Sequence, residues 1–173
     1  MEKIFYAERN LFPSSETAVK ALLYKFFNRE NPIIGRTKNG KPYLKNDTLF
    51  FSVSHTKTKL FVAFSDKNVG IDAENVLRAP VSPSVLKKFT EKEQAEILSR
   101  KDFLQCWTAK ESAVKYLGGT LASDLKRLEY LDGMMYYDGA KLGKITPFSI
   151  DNHTLSVCHE NDFSSAAIIP LVL

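Results

Sequence analysis

The chain has 173 residues, 44% of them hydrophobic, enough to bury one sizeable core or two small halves packed together. Lysine and arginine number 24 against 20 aspartates and glutamates, and the formal charge of +4 suits an anionic partner, whether a phosphorylated ligand, an acidic protein or a nucleic acid. Two cysteines outside any CxxC pair, and no run of the roughly 18 apolar residues that span a bilayer, argue against a disulfide scaffold, secretion and membrane insertion, and for a reducing cytoplasm.

In chain order, residues 3–7 (KIFYA) form a short apolar run with the look of a strand. Pro13 and Ser14-Ser15 introduce Val19, Leu22, Leu23, Phe26 and Phe27 at helical spacing, an amphipathic helix to about Asn28 whose other face carries Lys20, Tyr24 and Lys25. After Asn31-Pro32, the dipeptide Asn39-Gly40 marks a hairpin turn with Lys41 at its tip. Residues 49–54 (LFFSVS) and 60–65 (LFVAFS) are two neighbouring strands, and the tip between them holds His55, between Ser54 and Thr56. Such a corner, with two lysines beside it, can hold an anion.

Residues 68–74 (NVGIDAE) read as a third strand. Period-two alternation puts Asp72 and Glu74 on one face, opposite Ile71 and Ala73. Two adjacent carboxylates are costly unless they share a cation, and Mg²⁺ is satisfied by two or three carboxylates with water. A Pro-containing link, residues 78–84, leads to a short helix around Val85, Leu86 and Phe89, and Thr90-Glu91-Lys92-Glu93 fits a capping box that opens another, running through Ile97 and Leu98. Residues 120–149 are weakly patterned, with a hairpin at Asp132-Gly133. Residues 153–170 suggest two strands with a polar tip.

Residues 102–119 (DFLQCWTAKESAVKYLGG) carry the strongest helix grammar: Asp102 as a cap, good helix formers inside, and Gly118-Gly119 as the stop. Trp107, Glu111 and Lys115 share one stripe at i, i+4, i+8, with Lys110 beside it. Cys106, Ala109, Ala113, Tyr116 and Leu117 form a small or apolar stripe for the core. By itself Glu111 with Lys115 reads as an ordinary solvated ion pair, so this helix alone decides little. An echo of Ser52-Val53-Ser54-His55 in Ser156-Val157-Cys158-His159 suggests two similar α+β halves, residues 1–78 and 79–173, with a site between them.

GKPYL (residues 40–44), FSVSHT (51–56), VGIDAE (69–74), FTEKEQ (89–94) and WTAKESAVKYLG (107–118) follow one another in the order, and at about the spacing, of the 4′-phosphopantetheinyl transferases. The chain resembles their surfactin type, which acts as a monomeric pseudo-dimer. The resemblance implies an α+β fold made of a pseudo-twofold pair of similar halves, each a small antiparallel sheet with a packed helix. It implies a holo-carrier-protein synthase that moves the phosphopantetheine arm of coenzyme A onto a serine of an apo acyl or peptidyl carrier protein, releases 3′,5′-adenosine bisphosphate, and needs neither nucleic acid nor membrane.

By the same resemblance Asp72, Glu74 and Glu111 are the ligands of Mg²⁺ or Mn²⁺. Glu111, directly or through a water on the metal, is the base for the serine hydroxyl, and Lys115 stabilises or protonates the leaving group. Ser54, His55, Lys41, Lys110 and Lys115 are the coenzyme A phosphate contacts, Lys41 for the 3′-phosphate; Lys20 is a further candidate, and Trp107 a packing anchor. Two other functions suit the same residues: a Mg²⁺-dependent phosphoanhydride hydrolase, and a binding module for carrier protein or nucleic acid without turnover.

Overall fold

Alternating apolar positions lay down the first strands. β1 (Lys3–Glu8) sends Phe5 to one face and Ile4 to the other, and β4 (Phe50–His55) and β5 (Lys59–Ser65) continue the pattern. In the computed structural model, which describes residues 2–77 and 83–171, these strands and β11 (Ala167–Pro170) build a sheet of order β11-β1-β5-β4. Helix α1 (Ser15–Phe27) begins at Ser14, whose hydroxyl accepts from Thr17 N, and ends at Asn28 in the left-handed region with φ 52°. It drops Val19, Leu22, Leu23 and Phe27 onto Phe5, Phe51, Val62 and Phe64. β2 (Ile34–Arg36) and β3 (Pro42–Leu44) form the expected hairpin around Gly40, whose φ of 89° needs glycine.

The second sheet has the order β6-β10-β9-β8-β7, from β6 (Val69–Asn75), β7 (Leu128–Leu131), β8 (Met134–Tyr137), β9 (Ala140–Ile150) and β10 (His153–His159). Asp132-Gly133 makes the turn between β7 and β8, as expected. On its outer face lies α4 (Arg100–Leu117), while α2 (Pro83–Leu86), α3 (Glu91–Glu96) and α5 (Leu121–Asp124) are short, of four to six residues each. Between the sheets Ile4, Phe61 and Ala63 meet Val69, Ile71, Leu155 and Val157, so the layers run helix, sheet, sheet, helix. The α+β class is as the sequence indicated.

The division near residue 78 does not separate the sheets. β6, from the first half, pairs with β10, and β11 (Ala167–Pro170), from the second, pairs parallel with β1. Residues 153–170 are therefore two strands, but they belong to different sheets. The SVSH/SVCH echo does not mark corresponding places either: β4 is the edge of its sheet and β10 lies inside the other, so His55 is exposed whereas His159 is buried. Most of the 78–84 link falls outside the described residues.

Candidate active site

The acidic strand lies where the two sheets meet. β4 and β6 present edges to each other without a backbone ladder, and serine hydroxyls join them instead: Ser52 Oγ accepts from Ile71 N at 3.1 Å and Ser54 Oγ from Ala73 N at 3.2 Å. Two orphan edge donors are thereby satisfied inside the core. Alternation then turns Ile71 and Ala73 into the space between the sheets and aims Asp72 and Glu74 at α4.

Helix α4 is anchored at both ends. Ser99, not Asp102, is its N-cap, accepting from Asp102 N; the Asp102 carboxylate reaches back to Ser99 Oγ and Leu98 N, so the helix starts slightly earlier than its sequence suggested. α3 has its capping box but ends at Glu96, before Ile97 and Leu98. At its other end α4 closes on Gly118 with φ 65°. The orphan carbonyls of the last turn are met from the first half: Asn68 Nδ2 and Lys41 Nζ donate to Tyr116 O at 2.7 and 3.0 Å, and Asn39 Nδ2 to Gly118 O at 2.9 Å. β6 passes directly under the helix at Gly70, where a Cβ would stand 2.0 Å from Ser112 O.

These anchors bring the stripe predicted for α4 onto the acidic strand. Lys115 Nζ donates to Asp72 Oδ1 at 2.7 Å, and Ser54 Oγ donates to the same oxygen at 2.9 Å. Glu111 is largely buried nearby: desolvation first, then the charge of Asp72, hold its pKa well above the ordinary carboxylate range, with Glu74 adding to the shift and Lys115 opposing it. Glu74 is raised too, by burial and then by Asp72, while a hydrogen-bonding contribution from Trp107 and the charge of Lys115 work the other way. Three carboxyls from β6 and α4 thus sense one another across one low-dielectric site with a single lysine among them. Trp107 packs against Phe89, as an anchor should.

Among the described residues, no three acidic, histidine or cysteine side chains are drawn together tightly enough to hold a metal ion as they stand. The chemistry of the site nevertheless suits a divalent cation. Asp72 is 4% exposed, and its Oδ2 is buried without a hydrogen-bond partner. A bare carboxylate oxygen beside two carboxyls of raised pKa is a site short of positive charge.

Of the phosphate contacts read from the sequence, Lys110 is corrected and Lys41 has a structural role as well. Lys110 is 0% exposed: its amine holds both Glu93 oxygens at 2.7 and 3.0 Å and Leu128 O at 2.6 Å. One position along the helix is a rotation of about 100°, which takes Lys110 off the Glu111 stripe and under α3. Lys41 has its Nζ on Asn68 Oδ1 (2.6 Å), Val69 O (3.3 Å) and Tyr116 O (3.0 Å). Burial pushes its pKa down to about 8, and it serves as a clamp between the hairpin turn, β6 and the end of α4. Ser54 faces Asp72.

His55, on the opposite face of β4, lines a cleft of about 240 Å³ with Ser15, Glu16, Arg36, Phe51 and Val53. Arg36 and Ser15 were missed in the sequence; only the position of Arg36 just before the Asn39-Gly40 turn hinted at it. Lys20 pairs with Glu16 at 2.9 Å.

Residues 68–134 match the family model described as the 4′-phosphopantetheinyl transferase superfamily, a span that contains Asp72, Glu74, Glu111 and Lys115. The resemblance to these transferases drawn from the motifs is thus supported by an independent match. The 4′-phosphopantetheinyl transferase gsp of Aneurinibacillus migulanus is 27% identical over 112 residues, which cover 60% of this chain and 46% of that protein. The match therefore spans about half the length of the relative.

Proposed function

We propose that this protein is a surfactin-type 4′-phosphopantetheinyl transferase that moves the phosphopantetheine arm of coenzyme A onto a serine of an apo acyl or peptidyl carrier protein. The observation that carries this reading is the ion pair of Lys115 with Asp72 between α4 and β6, beside Glu111 and Glu74, whose pKa values burial and Asp72 both raise, within the stretch that matches the family. Asp72, Glu74 and Glu111 would hold Mg²⁺ or Mn²⁺, which when bound neutralises the coenzyme A diphosphate and makes its phosphorus easier to attack.

The remaining chemistry belongs to the chain. The carrier serine oxygen bonds to the phosphorus next to pantetheine, the bond from that phosphorus to the bridging oxygen breaks, and 3′,5′-adenosine bisphosphate leaves. Glu111, on the face of α4 turned to Asp72 and Glu74, accepts the serine proton directly or through a water. Lys115 is half-buried and close enough to Asp72 to share the site, so its ammonium can donate to the leaving phosphate oxygen. The cleft beside His55 and Arg36 suits the anionic nucleotide end of coenzyme A. The positive net charge suits carriers with an acidic recognition helix. We take the enzyme to act as a monomer in the cytoplasm; no helix among the described residues is long and apolar enough to cross a membrane.

Incubation with coenzyme A, Mg²⁺ and a panel of apo carriers, followed by weighing the carriers intact, tests the proposal. The mass of one phosphopantetheine gained by at least one carrier is expected. Steady cleavage of coenzyme A in the absence of any carrier would instead mark a hydrolase, and bound coenzyme A with no mass gain on any carrier would mark a binding module.

A further inference from the structure

Asp72 is held by groups that its own strand does not supply. Oδ1 takes both donors, Lys115 Nζ at 2.7 Å and Ser54 Oγ at 2.9 Å, while Oδ2 is buried and has none. The serine is itself fixed. Its Oγ accepts Ala73 N at 3.2 Å, which leaves its proton to point at Asp72, and Ser54 and Asp72 are only 5% and 4% exposed, so bulk water does not compete for the bond. A carboxylate gripped on one oxygen presents the other in a defined direction.

We infer that Ser54 is a positioning residue for the divalent cation: through its hydroxyl it sets the Asp72 carboxylate so that Oδ2 faces the cation. The inference rests on the proposed function in one respect, that Asp72 is a ligand of the cation. Lys115 divides its three N–H donors between Oδ1 and the leaving phosphate, whereas Ser54 has one proton and gives it to Oδ1 alone. The adjacent residues Ser54 and His55 therefore divide their duties by strand alternation, one fixing the acidic cluster and the other facing the cleft on the far side of β4. Groups that orient a ligating carboxylate typically change metal affinity 10- to 100-fold when removed.

The test is a Mn²⁺ titration followed by electron paramagnetic resonance on the full chain without coenzyme A, paired with calorimetric titration of coenzyme A without metal. Wild type, Ser54→Ala, Ser54→Cys and Asp72→Ala are compared, each with a thermal melt to establish folding. Ser54→Ala is expected to weaken Mn²⁺ binding about 10- to 100-fold and to leave metal-free coenzyme A affinity within about twofold. Ser54→Cys keeps nearly the same size with a poor donor, and should show the same loss if Ser54→Ala fails to fold. Unchanged Mn²⁺ affinity in the folded Ser54 variant overturns the inference, and a selective loss of coenzyme A affinity assigns Ser54 to the phosphates instead. Asp72→Ala separates the two levels: if it binds Mn²⁺ like wild type, the metal assignment in the proposed function falls, whereas loss of binding there with none in Ser54→Ala sinks only the inference about Ser54.

Discussion

Gly70→Ala probes the packing on which the site depends. The added Cβ would lie 2.0 Å from Ser112 O and 2.5 Å from Tyr116 N, both backbone atoms of α4, so no side chain can swing aside. Reaching the 3.4 Å of ordinary contact requires the helix and β6 to part by about 1.4 Å at this point. Overpacking of this kind costs about 1–3 kcal/mol, and contact with rigid backbone belongs at the upper end. For a chain of this length that corresponds to a fall in Tm of roughly 6–12 °C. The functional loss should be larger than the stability loss implies, because Lys115 and Glu111 ride on the displaced helix while Asp72 and Glu74 stay on the strand. A misplacement of about 1 Å can cost on the order of 100-fold in rate. Differential scanning calorimetry and a single-turnover transfer assay would measure the two effects. A Gly70→Ala protein with wild-type Tm and wild-type transfer rate would refute the idea that α4 and β6 hold the site by direct contact.

Three other outcomes follow from the geometry. Lys110→Met strands Glu93 as an unpaired buried charge and should lower stability by about 3–5 kcal/mol in denaturant titration, with coenzyme A affinity unchanged and part of the loss recovered by adding Glu93→Gln. Lys41→Met removes the clamp on the end of α4 and should cost about 1–3 kcal/mol without weakening coenzyme A binding; a selective loss of affinity would restore its phosphate role. His153 and His159 are buried and their pKa values are lowered, first by desolvation. The unfolded chain therefore takes up more protons below the ordinary value of 6.5, and stability should fall as the pH drops through 6.5. The raised pKa of Glu111 acts in the opposite direction, costing stability as the pH rises above 4.5, so the histidine effect should be steeper in Glu111→Gln. Melting curves of that variant at pH 5.5 and 7.5 that coincide would contradict it.

What the sequence revealed was local. The start of α1 after Pro13, the Asn39-Gly40 turn, the capping box at Thr90 and the alternation of β6 each rest on residues a few positions apart, and each appears in the structure. The convergence of Asp72 with the Glu111–Lys115 stripe joins segments about 40 residues apart, and only five motifs in register pointed to it. The exchanged strands were not legible, because the partners of β6 and β11 are set by burial across the whole molecule. Nor was the inward turn of Lys110: a capping box explains Glu93 by its own helix, and nothing nearby shows that the same carboxylate also takes the lysine amine and Tyr130 N. Ser54 was only half legible for a related reason. Its motif suggested a phosphate contact, and nothing in the sequence showed that its hydroxyl is given to Asp72 while its neighbour His55 lines the cleft.

The central claim is that Asp72, Glu74 and Glu111 act as one site in transferring phosphopantetheine. Its most direct test is the intact mass of an apo carrier after reaction with coenzyme A and Mg²⁺, using Asp72→Ala, Glu74→Ala and Glu111→Gln beside wild type. The account predicts that wild type converts the carrier, and that each folded variant falls at least about 100-fold behind. Conversion by Glu111→Gln at the wild-type rate would contradict it.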